Sequence, residues 1–347
     1  MELLNSGVDS LYWTARGDVR ETMAALSPYQ EAARADHRAA PWREIAGFAL
    51  MVEPAGGSGY AAILKCAEFS VYLGQQKSRP TFWVQLRADF IYTVGIRGAI
   101  DASLGVVSEL SENGLQDTGV SRVDPFADFG GWSLGKDEAE GIVTRVPEVS
   151  SYFVPRSNHL HSVRIGKKPL ALRIYDKRYQ LEKMGGAADL FWGDHEGPVT
   201  RVEFEFWSER LKDFTLRSFD EVLASIGDLW RHGTTRFAEL RVPGAGPVEL
   251  WPVSPAWRFV QRLAEWKFAY SGLVPFRIVK GDRTTLLRSV YGYLTSFAGV
   301  EGLSTAHATL RRVLECLPEV DRGRSFEDEA KRKAARLPKT YRQREAM

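Results

Sequence analysis

Residues 199–207 read Val-Thr-Arg-Val-Glu-Phe-Glu-Phe-Trp, and apolar and polar side chains alternate strictly along most of this stretch. In a β-strand, residues two apart share a face. The pattern therefore predicts a strand with one apolar face and one face that carries Arg201, Glu203 and Glu205. The apolar face needs a core to pack against, and a chain of 347 residues is long enough to form one. The charged face is either exposed to solvent, as is common in antiparallel sheets, or part of a polar site.

A second predicted strand, 119–129, carries two carboxylates on one face. Arg122, Asp124 and Asp128 share that face because they are separated by even numbers of residues. Two buried carboxylates repel each other, and a divalent cation between them removes the repulsion. The alternative is an edge strand whose acids are exposed to solvent.

A third predicted strand, 170–175, continues into a tyrosine placed between two cations. Arg173, Tyr175 and Lys177 share a face at this spacing. Positive potential lowers the cost of a phenolate and attracts a phosphate group. The alternative is an ordinary strand tyrosine beside two surface cations.

The three polar faces lie within about 85 residues of sequence, and each has an apolar opposite face. If the strands are neighbours, the faces form one site with a nucleophile, hard oxygen ligands for a metal ion, and cations for a phosphate. Those are the components of phosphoryl transfer.

The order and spacing of these segments resemble the replication initiation factor family, the plasmid and phage rolling-circle initiators. The resemblance covers roughly residues 5 to 235 and rests on an ordered set of short motifs. They are Ser6 to Leu11, Arg122-Val123-Asp124 with Asp128, Ile165-Gly166, Arg173-Ile174-Tyr175-Asp176-Lys177, and Arg201-Val202-Glu203. After Gly166 the chain reads Lys167-Lys168-Pro169, where family members often have a serine.

The resemblance implies a tyrosine nickase. Tyr175 takes the role of nucleophile, with Arg173 and Lys177 beside the phosphate. Asp124, Asp128 and Glu203 are implied as ligands of Mg²⁺ or Mn²⁺, and Glu205 is a weaker candidate. The implied reaction is metal-dependent nicking and strand transfer at a DNA replication origin through a 5′-phosphotyrosyl intermediate. A host helicase and a second copy of the chain are the further partners considered.

A different metal site is also open. His159-Leu160-His161 is a His-hydrophobic-His triplet, the signature of another large nickase superfamily, and two such imidazoles can bind a divalent ion. Tyr179 follows Tyr175 by four residues, the spacing of the paired tyrosines in that superfamily. Triplets this short also arise by chance.

The order of predicted elements gives an α+β fold. An antiparallel-sheet catalytic domain with flanking helices, 1–242, precedes a mainly helical C-terminal domain, 247–347. Helices are predicted at 18–37, 97–111, 217–232, 255–269, 282–298, 305–317 and 325–336. Strands are predicted at 45–53, 60–66, 67–73 and 82–86, besides 162–166 and the three described above.

Charge and composition complete the sequence evidence. The net charge of +2 conceals a basic C-terminus, because residues 322–347 hold nine Lys or Arg and four Asp or Glu. That net of +5 fits an arm that contacts phosphates, or else a solvated helix. Two distant cysteines and the lack of a signal peptide or a long apolar run indicate a cytoplasmic protein away from membranes.

Two rival functions remain open from the sequence. One is a sequence-specific DNA-binding protein without catalysis, and the other is a metal-dependent nuclease that uses water as its nucleophile. A protein unrelated to nucleic acid is the least specific alternative. No phosphate-binding loop of the G-x-x-x-x-G-K-[ST] type occurs, which agrees with a reaction that needs no nucleotide cofactor.

Overall fold

The chain folds around one large antiparallel β-sheet. The computed structural model describes residues 1–153, 160–184, 192–268, 270–273, 275, 283–320 and 325–334. Within these ranges the strands are β1 (Glu2–Arg16), β2 (Ala40–Ile45), β3 (Phe48–Val52), β4 (Ala62–Lys65), β5 (Phe69–Leu73), β6 (Phe82–Leu86), β7 (Gln116–Gly130), β8 (Ile142–Thr144), β9 (Val149–Phe153), β10 (Leu160–Lys167), β11 (Leu170–Asp176), β12 (Val199–Trp207) and β13 (Ala238–Leu240). Their order in the large sheet is β2-β3-β4-β5-β6-β1-β7-β12-β11-β10-β9, and β13 pairs with β8 separately.

Helices flank this sheet and follow it. Those described are α1 (Arg20–Asp36), α2 (Ala88–Glu109), α3 (Lys136–Ala139), α4 (Lys177–Met184), α5 (Ser208–Asp213), α6 (Phe219–Ala224), α7 (Ile226–His232), α8 (Pro255–Trp266), α9 (Arg283–Glu301), α10 (Ala306–Val320) and α11 (Phe326–Ala334). The predicted α+β class is confirmed.

The longest strands lie at the centre of the sheet, and one of them is missing from the sequence prediction. β1 and β7 span 15 residues each and pair with one another, and β1 also pairs with β6. The β1–β7 register shifts at four places, including the step between Val8 and Ser10. Each shift breaks the two-residue alternation on which a strand prediction depends, which explains why β1 was not predicted.

One face of the sheet packs against helices and forms the hydrophobic core. Trp13, Phe204 and Phe206 are fully buried there. Trp230 of α7 meets Phe204 edge to face at 5.3 Å, and its indole N–H donates to the Val260 carbonyl of α8 at 2.8 Å. Fully burying one such large side chain contributes roughly 1.5–3 kcal/mol, so this layer fixes which side of β12 faces inward.

Three predicted elements differ from the observed ones. The single strand predicted at 45–53 is a hairpin, because Ala46 and Gly47 both adopt positive φ and turn the chain between β2 and β3. The helix predicted at 97–111 begins nine residues earlier and is kinked at Gly95, where φ is 76°. The helix predicted at 217–232 is interrupted at Ser225.

Contacts divide the chain into two compact units, Met1–Val274 and Pro275–Met347. α8 belongs to the first unit, because Trp257 donates its indole N–H to the Thr234 carbonyl at 2.9 Å. The second unit holds α9, α10 and α11. The division into functional domains at 1–242 and 247–347 stays a prediction.

One described helix, α2, is long and apolar enough to cross a membrane by length and composition alone. Its buried face contacts the sheet, where Trp13 of β1 donates to the Ser103 hydroxyl at 3.1 Å. Ile100, Val106 and Val107 are also buried on this side. A core helix that packs against a sheet can meet the same length and composition criteria without crossing a membrane.

Candidate functional site

The strands β7, β12, β11 and β10 are consecutive neighbours, so their polar side chains meet on the face opposite the core. We define the polar face as Arg122, Asp124 and Asp128 of β7, Arg201, Glu203 and Glu205 of β12, Arg173 and Tyr175 of β11, and Arg164 of β10. The acids on it are at most 5% exposed. The alternative of solvent-exposed acids is therefore wrong for this face.

Tyr175 and Glu203 form the centre of the polar face. The phenolic hydroxyl of Tyr175 donates to Oε2 of Glu203 at 2.8 Å, and Arg173 donates to Oε1 of the same carboxylate at 3.1 Å. The two strands place Arg173 directly opposite Glu203 in the register. One oxygen of Glu203 is thus oriented by a guanidinium, and the other accepts a hydrogen bond from the phenol.

The environment of Tyr175 disfavours a phenolate. Burial raises its pKa well above the usual value, and the charge of Glu203 raises it further, whereas Arg201 and Arg173 lower it less. Arg173 lowers the pKa of Tyr175 as expected for a flanking cation, but burial and the Glu203 carboxylate outweigh it, since Tyr175 is only 7% exposed. Burial and the charge of Asp9 also raise the pKa of Glu203, which makes it a stronger proton acceptor once ionised.

A second cluster surrounds Arg201, which is fully buried. Its guanidinium donates twice to Asp128, at 2.6 and 2.8 Å, and once to Asp9 of β1 at 2.5 Å. The indole N–H of Trp192 donates to Asp128 at 3.0 Å, and the guanidinium lies 3.9 Å from the ring centroid of Phe126. A buried guanidinium needs carboxylate partners of this kind, since an unpaired buried ion strongly destabilises the fold.

The third cluster extends toward the other end of the strands. Arg122 donates to both oxygens of Asp124, and Arg164 donates to both oxygens of Glu205 at 2.7 and 3.0 Å. Burial raises the pKa of Asp124 well above its usual value despite Arg122, and Glu203 adds to the rise. For Glu205 burial raises the pKa, but the bonds and charges of Arg164 and Arg122 outweigh it and the net shift is downward.

The predicted metal ligands do not converge on one point. Asp124 is bound by Arg122, Asp128 by Arg201, and Glu203 by Tyr175 and Arg173. Among the residues that the structure describes, no group of three or more His, Cys, Asp or Glu side chains is arranged to hold a metal ion. Arginines, together with the Tyr175 hydroxyl at Glu203, occupy the oxygens that a hard cation would need, so this arrangement does not fit a resident Mg²⁺ or Mn²⁺ ion.

Lys177 lies next to Tyr175 but on a different element from the one predicted. It begins α4 instead of extending β11, and its ammonium lies 5.8 Å from the centroid of the Tyr175 ring. Burial lowers its pKa, and the charge of Arg201 adds to this. Both effects favour the neutral amine, whereas Asp9, Asp128 and Glu203 favour the ammonium.

The alternative histidine site is only partly described. His159 lies outside the described residues. His161 stacks on the Tyr179 ring at 3.9 Å between centroids, with an angle of 25° between the planes. Tyr179 is on α4 and is 36% exposed, in contrast to Tyr175.

Several residues of the site were not predicted. Asp9 binds Arg201, and Tyr92 lies near Asp9 at the start of α2. Asp9 falls within the opening motif of the family resemblance, which is the signal that could have identified it. Arg164 precedes Gly166 by two residues. Gly166 itself adopts a φ of 72°, and a Cβ there would lie 2.9 Å from both the Leu170 carbonyl oxygen and the Phe237 ring. That position therefore requires glycine.

Comparison with known proteins gives limited information. No protein-family model and no curated protein matches the chain. Among solved structures, a rolling circle replication initiator protein from Geobacillus stearothermophilus is similar with a TM-score of 0.45 and 14% sequence identity, over 76% of this chain and 97% of that one. At this level of likeness nothing follows from it about activity.

Proposed function

We propose that the protein is a DNA strand transferase that nicks one strand with Tyr175 and acts as a rolling-circle replication initiator. The observation that carries the proposal is the hydrogen bond from the Tyr175 hydroxyl to Glu203, with Arg173 orienting the carboxylate. A hydroxyl nucleophile next to a base that a third group orients is the usual arrangement for covalent catalysis. The ordered family motifs in the sequence agree with this reading.

In the proposed reaction Tyr175 attacks the scissile phosphorus while its proton passes to Glu203. The Oη–P bond forms and the P–O3′ bond breaks, so the products are a 5′-phosphotyrosyl link and a 3′-oxygen that takes a proton from water as it leaves. Burial and Glu203 raise the pKa of Tyr175 and so disfavour a free phenolate, and we expect proton transfer to accompany attack. Arg173, whose side chain is 34% exposed, is placed to offset charge on the phosphate. Attack by a 3′-hydroxyl on the link reverses the steps.

A second candidate function is DNA binding without catalysis, and the burial of Tyr175 favours it. The phenol is 7% exposed, and the carboxylates of the polar face are paired with arginines. A closed network of this kind also stabilises a sheet without any reaction. The water-using nuclease has no such observation in its favour.

The deciding experiment is incubation of the protein with labelled supercoiled origin DNA, followed by denaturing electrophoresis. We expect a covalent protein–DNA adduct with the wild type and none with Tyr175→Phe, which loses only the nucleophilic oxygen. Tyr179→Phe is the matched control and should form the adduct. Adduct formation by Tyr175→Phe would transfer the role to another residue, and cleavage without any adduct would favour water.

A divalent metal ion at Asp124, Asp128 and Glu203 stays a prediction from the sequence, and no step above uses one. Nicking assays in EDTA and in graded Mn²⁺ test it. If Asp124 is a ligand, Asp124→Asn raises the Mn²⁺ concentration for half-maximal nicking, and His161→Ala does not. Nicking that persists in EDTA would show that the acids work as arginine partners alone. Replication-origin DNA as the partner, a host helicase, a homodimer and the cytoplasmic location also stay predictions.

A further inference from the structure

A pocket of about 420 Å³ opens on the same side of the sheet as the polar face, at the far end of β12 from Arg201. Its walls come from β1, β6, β7, the turn before β11 and the start of α5. Trp207 lines it and shares a strand face with Glu205 and Glu203. The guanidinium of Arg122, which binds Asp124, also lies 4.7 Å from the Trp207 ring centroid. The pocket is therefore continuous with the polar face.

Aromatic rings form much of the pocket lining. Tyr60, Trp83 and Trp207 line it and are half-buried. Tyr60 stacks on Trp83 at 6.1 Å, and Tyr12 contacts both indoles edge to face at 5.8 and 6.2 Å. These contacts hold the indoles in fixed orientations, which reduces the entropy lost when a flat ligand stacks on them.

Two polar atoms in the lining lack partners. The indole N–H of Trp207 and the hydroxyl of Ser121 are buried and make no hydrogen bond within the described part of the chain. Both atoms are closed to solvent, so a ligand in the pocket is recognised by the aromatic rings and not through these two atoms. A nucleobase offers the flat body that stacks on such rings.

The rim of the pocket is cationic. Four cations, Arg16, Lys168, Lys212 and Arg217, outnumber Asp117 and Glu209, which leaves a net charge of +2. Asp117 pairs with both arginines, whereas Lys168 and Lys212 have no carboxylate within 4 Å among the residues described. Lys168 lies instead 3.7 Å above the Trp207 ring.

We propose that this pocket binds an unpaired nucleobase of a single DNA strand, with Lys168 and Lys212 contacting the adjoining phosphates. Aromatic platforms bordered by cations are the common means of binding single-stranded nucleic acid. Arg201 lies opposite Tyr175 in the register and six residues before Trp207, a separation of about 20 Å along β12. One short DNA strand can span that distance between the pocket and Tyr175, and this link rests on the proposed function.

The test is equilibrium binding of fluorescent dT12 to the full chain in EDTA, compared with a 12-residue abasic strand. We expect the wild type to prefer dT12 by roughly tenfold or more, because stacking on a base is lost with the abasic strand. Trp207→Leu should reduce that preference to less than threefold. The double variant Lys168→Gln/Lys212→Gln should weaken both strands alike and lower the salt dependence, because it removes phosphate contacts only.

The controls are Trp266→Leu, at an indole that is 53% exposed on α8, and the double variant Arg262→Gln/Lys267→Gln on the same surface. Both should bind dT12 like the wild type. If the pocket variants also bind like the wild type and keep its preference, the proposal is wrong. Tighter binding of U12 through the same residues would assign the pocket to RNA and overturn it as well. Covalent adduct formation is measured separately, so an absent adduct with intact pocket effects would refute the nickase and not the pocket.

Discussion

The hydroxyl of Tyr175 donates a 2.8 Å hydrogen bond to Glu203 in a site where both side chains are less than 10% exposed. The pair joins two strands, β11 and β12, and Arg173 completes it from the strand that carries the tyrosine. A carboxylate predicted as a metal ligand is therefore the partner of the predicted nucleophile. This changes the expected behaviour of the site with pH.

Glu203→Gln should remove the acidic limb of the pH–rate profile for nicking. Glu203 accepts a proton only when ionised, and burial raises its pKa, so the wild-type rate should rise with pH through a value above 4.5 and then level off. The glutamine variant should be slower by roughly 10²–10⁴-fold and should lack this limb. Glu205→Gln is the matched control, since Glu205 binds Arg164 and not the phenol. A limb retained in Glu203→Gln would exclude Glu203 as the base.

Arg201→Met should lower the free energy of unfolding of the protein, with no ligand bound. Asp128 is 0% exposed and would be left with an uncompensated charge, at a cost of about 3–5 kcal/mol. Urea denaturation followed by tryptophan fluorescence measures this. Arg231→Met is the control, because the exposed pair with Glu265 is worth at most about 1 kcal/mol. Equal losses for the two variants would contradict the structural role assigned to Arg201.

His232 should make the stability of the protein depend on pH between 4 and 6.5. Burial, with Arg210 and Arg236, lowers its pKa from 6.5 to about 4 in the folded state, so the unfolded chain binds the proton more readily. Its contribution to stability is fully present above pH 6.5 and is lost as pH falls toward 4, by roughly 3 kcal/mol. His232→Gln should flatten the free energy of unfolding over this window. An exposed control, His307→Gln, should keep the wild-type slope, and an unchanged slope in His232→Gln would contradict the assignment.

Deleting residues 322–347 should lower affinity for duplex DNA and flatten its salt dependence. The deletion removes nine Lys or Arg side chains. Each contact between such a side chain and a phosphate releases counterions, so fewer contacts give a weaker salt dependence. Cleavage of a short single-stranded oligonucleotide should persist, because Tyr175 and Glu203 belong to the first compact unit. The deletion also removes α11, so circular dichroism and a melting curve must show that the truncated chain is folded. A folded truncation with unchanged affinity and salt slope would exclude the phosphate-binding role.

Local pattern predicted the strands whose two faces differ in polarity. β12 and β6 begin and end at the predicted residues. In β12, Phe204 and Phe206 alternate with charged residues. In β6, Val84 lies between two other buried apolar residues, each two positions away. β1 escaped prediction because its shifts in register break the alternation. The first nine residues of α2 were not predicted, because Gly95 interrupts the helical pattern while tertiary contacts hold the helix on both sides of the kink.

From the sequence alone, Arg173 and Tyr175 could be placed on one face of a strand and Glu203 on one face of another, since the two-residue period of a strand decides this locally. Only the tertiary structure could decide which partners those side chains choose. Strand order and register bring Arg201 to Asp128, and Glu203 to Tyr175, across long stretches of chain. In a buried layer each carboxylate must take the nearest donor to offset its desolvation, and the identity of that donor is a property of the folded sheet.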